Sequence, residues 1–154
     1  TNAGVRSKGF HSVIDQYPEM KMVARQTANW SQTEAYSVME SILQANPKIN
    51  ILWSENEGGT IGEVIAVRSM KLQGKVFVFG TDMSTQLADF LLDKDNILQA
   101  VTGQSPRLMG SDSVKAAVAV VKGSKVDYYH VVPNAFFSRD NVAAINAFKK
   151  EMGQ

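Results

Sequence analysis

Cysteine is absent from the chain. Without a thiol there is no disulfide framework, no thiolate nucleophile and no cysteine-ligated zinc site. Histidine is scarce as well: His11 and His130 are the 2 in the chain, which excludes a multi-histidine metal centre within one chain. No apolar run approaches the ~18 residues that a membrane span needs. The opening stretch Thr1-Asn2-Ala3-Gly4-Val5-Arg6 lacks the long apolar core of a secretory leader, which is compatible with a trimmed precursor. Charge of one sign is also lacking. Lys and Arg number 16 against 15 Asp and Glu, a net charge of +1, so nothing pulls the chain strongly toward nucleic acid or an acidic membrane.

What is present is an ordinary globular composition. Of 154 residues, 44% are hydrophobic and 20% charged, which excludes a disordered chain, a collagen and a coiled-coil rod. The length suits one domain or a piece of a larger two-lobed protein. Apolar runs of strand length alternate with amphipathic stretches of helix length. Strands are predicted over residues 20–24, 49–53, 76–79, 98–102 and 126–132. Helices are predicted over residues 3–17, from the capping box Ser31-Gln32-Thr33-Glu34 to Asn46-Pro47, and over 60–72, 84–92, 105–122 and 138–152. Gly74 and Gly123 are placed as left-handed caps. The run 76–79 is almost wholly apolar, as a strand covered on both faces requires. Buried stripes are expected at Val5, Phe10, Val13 and Ile14, at Val114, Ala117, Val118 and Val121, and at Val142, Ile145, Phe148 and Met152. Alternation of this kind predicts right-handed crossovers and an α/β fold with a doubly wound parallel sheet. No predicted strand precedes the first helix, so the chain reads as the carboxy-terminal part of something longer.

Ligands of open parallel sheets bind beyond the carboxyl ends of the strands. The residues that follow the first four predicted strands are Asn29 and Trp30; Ser54, Glu55, Asn56 and Glu57; Thr81 and Asp82; and Gly103 and Gln104. This set offers an indole, amides and carboxylates but no nucleophile–base pair, and no catalytic role is assigned. A sugar fits it: its hydroxyls donate to carboxylates and exchange hydrogen bonds with amides, and its C–H face packs on an indole. Each residue has a structural alternative. Trp30 can staple the following helix, Trp53 belongs in the core, Asn56 can be a turn residue before Gly58, and Asp82 can be a helix N-cap. Gln104 is neither a preferred cap nor a turn former. Arg6 by itself is a surface charge. The run Glu57-Gly58-Gly59-Thr60-Ile61-Gly62 is similar to a dinucleotide fingerprint, with Asp82 following 20 residues after Gly62. Its first glycine is replaced by Glu57, whose carboxylate would repel a pyrophosphate, so the glycines are read as close helix–sheet packing. No phosphate loop, nucleophile elbow or His-Glu-x-x-His motif occurs.

The segments Arg6-Ser7-Lys8-Gly9-Phe10, Gln26-Thr27-Ala28-Asn29-Trp30, Leu43-Gln44-Ala45-Asn46-Pro47, Leu52-Trp53-Ser54-Glu55-Asn56-Glu57, Val78-Phe79-Gly80-Thr81-Asp82 and Ala100-Val101-Thr102-Gly103-Gln104-Ser105-Pro106 lie in order along nearly the whole chain. Together they resemble the carboxy-terminal half of the type I periplasmic sugar-binding proteins of ABC transporters, the ribose-binding group. The resemblance implies a three-layer αβα lobe cut from a two-lobed, non-enzymatic protein that captures a small sugar by lobe closure and delivers it to a membrane permease. It implies sugar contacts at Arg6, Trp30, Asn56, Asp82 and Gln104, with no metal, no cofactor and no nucleic-acid partner. It places residues 1–104 and 132–154 in the sugar-binding lobe and 105–131 in the missing amino-terminal lobe. The fragment would then dimerise or re-pack through surface that the missing lobe covers. The implied location is the periplasm, or the outer face of a single-membrane cell as a lipoprotein. The effector domain of a LacI-type transcription regulator shares the fold and is the alternative reading.

Overall fold

The computed structural model of the protein describes residues 2–153. In chain order the elements are α1 (Asn2–Ile14), α2 (Gln32–Ala45), β1 (Ile51–Trp53), α3 (Glu57–Ser69), β2 (Phe77–Thr81), α4 (Thr85–Leu92), β3 (Leu98–Gly103), α5 (Pro106–Val121), β4 (Ala135–Ser138) and α6 (Val142–Glu151). The sheet order is β1-β2-β3-β4. β1, β2 and β3 are parallel, and β4 joins β3 antiparallel, with Gly103 opposite Ala135 and Ala100 opposite Ser138. The α/β class and the parallel winding predicted from the alternation are present.

Local chemistry explains the helix starts. The Ser31 hydroxyl accepts from the Glu34 N–H, and Asn56, Ser84 and Asn141 accept in the same way at the starts of α3, α4 and α6. The second half of the predicted capping box differs: the Glu34 carboxylate accepts from the Asn29 side-chain amide at 2.7 Å instead of reaching back to Ser31. α3 ends earlier than residue 72. Lys71 takes the left-handed conformation (φ 57°), and the Lys71 and Leu72 N–H groups bond back to Arg68 and Val67, a Schellman closure. Gly74 serves the next turn rather than the helix end. At the end of α5, Gly123 (φ 77°) fills the predicted cap position.

The core lies between one sheet face and the helices α2, α3, α4 and α6. Leu52, Val78, Leu98 and Val101 from the strands meet Leu43, Val64, Val67, Leu87, Leu91 and Ile145 from the helices, all buried. On the opposite face Trp53 stacks on Phe10 of α1, centroids 4.4 Å apart, so Trp53 is half-buried in a helix–sheet contact. Two glycines set the closest approaches. A Cβ on Gly62 would sit 2.7 Å from the Ala35 Cβ and 2.8 Å from the Tyr36 N, so this glycine packs helix on helix rather than helix on sheet. A Cβ on Gly80 would sit 2.3 Å from the Thr60 side chain, which lets α3 lie directly on β2.

Several expectations are corrected. Residues 20–24 are not a strand: residues 21–28 belong to no helix or strand, and β1, on the far side of a groove, pairs only with β2 among the described residues. A strand needs a neighbour for its backbone groups, and this segment has none among the described residues. Residues 126–132 form no strand either; Tyr128, Tyr129 and Val131 are exposed. The predicted helix 138–152 starts at Val142, because the short run Ala135–Ser138 pairs with β3 instead. The expected stripe on α5 is not buried, and α5 buries no residue. On α1, Val5 and Val13 are exposed and only Ser7 is buried. On α6, Ile145 is buried whereas Val142 and Met152 are exposed. In each case the periodicity is genuine, but no partner surface covers it among the described residues.

Glu63 on α3 is buried, and its Oε2 has no hydrogen-bond partner among the described residues. Burial pushes its carboxyl well above the usual carboxylate range. The folded form therefore holds a proton that the unfolded form releases near the ordinary glutamate pKa of about 4.3. Stability of the 154-residue chain is expected to fall as pH rises from that value toward the raised one, and Glu63→Gln should flatten the decline; urea titrations across this pH range measure both. Gly62→Ala is expected to lower stability by about 1–3 kcal/mol through overpacking of α2 on α3, read from the same titrations at fixed pH.

Candidate functional site

The carboxyl ends of β1, β2 and β3 open onto one rim, and the five residues singled out from the sequence meet there. Arg6 reaches over from the first half of α1. Its two terminal nitrogens donate to the two Asp82 oxygens at 2.7 and 2.8 Å, and Nη1 also donates to the Glu55 carbonyl. Gln104, just past β3, donates from Nε2 to Asp82 Oδ1 at 2.6 Å. The Arg6 guanidinium lies 5.9 Å from the Trp30 ring centroid. Asn56 donates from Nδ2 to the Trp30 carbonyl at 3.2 Å.

The structural alternatives separate here. Ser84, not Asp82, caps α4, so the Asp82 carboxylate is free of capping duty and faces the rim. Asn56 does cap α3: its Oδ1 accepts from the Gly59 N–H at 3.2 Å. Both Asn56 polar atoms are thus engaged, yet each retains one further hydrogen-bonding position. Trp30 is 52% exposed, with its indole presented at the rim. His11 and His130 lie elsewhere, each beside a local carboxylate, Asp15 and Asp112.

Backbone strain collects at the same place. Asn29, Trp30 and Asp82 adopt φ values of 48°, 64° and 70°. A left-handed conformation is uncommon for non-glycine residues and an outlier for one as bulky as tryptophan, costing about 1–2 kcal/mol per residue. Neighbouring bonds hold it. The Asp82 N–H donates to the Thr102 carbonyl at 2.7 Å, and the Ser31 N–H closes the turn onto Ala28. Such strain marks positions where side-chain direction outweighs local stability.

An open bowl adjoins three members of this cluster, Trp30, Asn56 and Asp82, and is lined by Gln32, Glu57 and Gln86 as well; Arg6 and Gln104 do not line it. Gln32 and Gln86 did not stand out in the sequence. Each lies in the first turns of the helix that follows a rim residue, Trp30 or Asp82, and that position is the signal by which they could have been found. The assembly presents one aromatic face, amides that donate and accept, and a carboxylate whose charge Arg6 balances. That chemistry can bind a small polyol; it contains no activated nucleophile. Trp30→Gly is expected to be more stable than Trp30→Ala by about 1 kcal/mol, because glycine relaxes the left-handed backbone and alanine does not; urea unfolding of the pair measures the difference, and a more stable alanine variant would refute the strain.

A family model described as periplasmic binding protein domain matches residues 1–125. A D-apiose import binding protein of Actinobacillus succinogenes is 54% identical over 99 residues, 63% of this chain and 31% of that protein. A D-apiose import binding protein of Paraburkholderia graminis is 43% identical over 121 residues, 79% of this chain and 38% of that protein. The chain thus spans about a third of the length of these relatives. Among solved structures, an ABC transporter periplasmic solute binding protein from Actinobacillus succinogenes with bound D-allose superposes with a TM-score of 0.85 at 27% identity, over 90% of this chain and 48% of that one. A carbohydrate transporter solute binding protein from Agrobacterium radiobacter in complex with D-arabinose gives 0.81 at 30% identity, over 92% of this chain and 48% of that one. With the shared fold, the matched family model and these relatives together, the chain belongs to the periplasmic binding protein domain family, in its type I sugar-binding group.

Proposed function

We propose that the chain is the sugar-contacting lobe of an ABC-importer binding protein, and that its ligand is a sugar of pentose size, with D-apiose first among candidates. The observation that carries this reading is the convergence of Arg6, Trp30, Asn56, Asp82 and Gln104 on one rim. The sugar's C–H face lies on the Trp30 indole. Its hydroxyls replace part of the Arg6 and Gln104 bonding to Asp82, and the freed N–H groups bind the sugar oxygens in turn. A sugar that lacks one of those hydroxyls leaves a polar group unpaired, which makes the rim selective. The relatives named above are import binding proteins, which supports import over transcriptional regulation and supports a location outside the cytoplasmic membrane.

Closure over the sugar needs a second lobe, and the disposition of residues 105–131 supports one. The chain leaves β3 at Gln104 and returns at Pro133, and the two passages are tied by the Ser105 hydroxyl donating to the Pro133 carbonyl at 3.2 Å. Between them α5 buries no residue, and Val114, Val118, Val121, Tyr128 and Tyr129 are exposed. An apolar excursion that starts and ends at one point fits a segment that packs on another lobe. The closed form, with the sugar touching both lobes, is what a permease would recognise. In the 154-residue chain the same surface would drive dimerisation or re-packing; sedimentation as a clean monomer with little binding of an apolar dye would argue against it.

Isothermal titration tests the reading. The full-length protein is expected to bind D-apiose or another pentose, and Trp30→Ala and Asp82→Ala should each weaken binding at least about tenfold, the equivalent of about 1.4 kcal/mol. The 154-residue chain should bind more weakly than about 1 μM, because half of the contacts are missing. Undiminished binding by both variants would remove the site from the sugar.

A further inference from the structure

Thr60 follows the Asn56 cap of α3 within the first turn and is wholly buried. Its hydroxyl both donates and accepts. It donates to the Asn56 carbonyl at 2.8 Å and accepts from the Thr81 N–H at 3.4 Å. One side chain thus joins a rim residue, Asn56, to the neighbour of another, Asp82. A threonine inside a helix can bond back to its own preceding turn; the bond received from a strand is the unusual part.

That bond replaces a rung of the sheet. β1 pairs with β2 as far as Trp53 opposite Phe79, and the Ser54 N–H donates to the Phe79 carbonyl at 3.2 Å. In a regular parallel ladder the next bond would run from the Thr81 N–H to the Ser54 carbonyl. Side chains take both groups instead. The Thr60 hydroxyl receives the Thr81 N–H, and the Thr81 hydroxyl donates to the Ser54 carbonyl at 3.1 Å. Gly80 makes room for this exchange, since a Cβ there would sit 2.3 Å from both Oγ1 and Cγ2 of Thr60.

The exchange lies where the backbone is strained. Asp82 is left-handed, and its own N–H is held by the Thr102 carbonyl; Thr60 holds the chain at the preceding residue. On the other side, Asn56 holds the left-handed Trp30 through the Trp30 carbonyl. The rim therefore has two halves, Trp30 with Asn56 and Asp82 with Gln104. Arg6 spans them from above, through Asp82 and the Trp30 ring, and Thr60 ties them from beneath. The Arg6 link is the one that a bound sugar would disturb. The buried link is out of its reach.

We propose, on the sugar-binding reading given above, that Thr60 is a positioning residue for sugar selectivity. Its hydroxyl sets the spacing between the Asn56 amide and the Asp82 carboxylate, and so decides which pair of sugar hydroxyls the rim can bridge.

Two matched pairs in the full-length protein isolate the hydroxyl. Thr60 and Thr60→Val share a branched shape, and Thr60→Ser and Thr60→Ala share the loss of the methyl group. Isothermal titration with a panel of pentoses that includes D-apiose and D-arabinose gives the preference of each protein for the tightest sugar over the next. Thr60→Val and Thr60→Ala are expected to lose about fivefold of that preference, the scale of one poorly met hydrogen bond, whereas Thr60→Ser stays within about twofold of the wild type. Loss of binding-competent protein weakens every sugar by one factor, so a merely structural role leaves the preference unchanged. Equal preference in all four proteins would overturn the proposal, and so would a preference that follows the methyl group rather than the hydroxyl. The Ser and Ala pair decides the matter even where Thr60→Val does not fold. Undiminished binding by Trp30→Ala and Asp82→Ala would remove the sugar reading and this proposal together. Weakened binding by those two, beside four equal proteins at position 60, would remove this proposal alone.

Discussion

Three separated parts of the chain meet at the Asp82 carboxylate: Arg6 from α1, Gln104 from the end of β3, and the end of β2 that carries Asp82 itself. The Arg6 and Asp82 side chains are 21% and 25% exposed, so solvent screens the pair and its contribution to stability is modest. Its consequence is geometric. Two parallel N–H···O bonds fix the guanidinium plane, and with the Phe10–Trp53 stack they hold α1 over the sheet. The same bonds orient the carboxylate that a ligand would meet, so the site and the attachment of α1 share one interaction.

That arrangement stands on a rigid base. α2 lies against α3 because Gly62 has no side chain, and α3 lies on β2 because Gly80 has none. The core beneath is dense and apolar, apart from Glu63 and Thr60. Strain at Trp30 and Asp82 is tolerable only on such a scaffold, since a softer one would relax the backbone and turn the side chains away. Polar side chains on loops, held by packed elements, are the usual division of labour between binding and stability.

Much of this was legible in the residues. The capping hydroxyl of Ser31, the apolar run of β2 and the spacing of Leu87, Ala88 and Leu91 each specify their element through local chemistry. The rim residues were legible too, because a parallel sheet sends all its carboxyl ends to one side and the residue after each strand can be read off. Illegible were features that need a distant partner. Residues 20–24 have strand composition but no neighbouring strand among the described residues. Ala135–Ser138 has little strand signal, yet pairs because β3 is there. The stripe on α5 has the period of a buried face, and none of the described residues buries it. Gln86 is an unremarkable helix residue until the fold brings it to the same bowl as Trp30 and Asp82.

The amino-acid order determined the alternation of strands and helices, the caps and the identity of the polar residues at the strand ends, because these depend on contacts within a few residues. The tertiary structure decided which apolar faces are covered, that Asp82 answers to Arg6 and Gln104 rather than to its own helix, and that Glu63 is buried with its Oε2 unpartnered among the described residues. Those outcomes depend on groups far apart in the chain, and no local pattern encodes the distance between them.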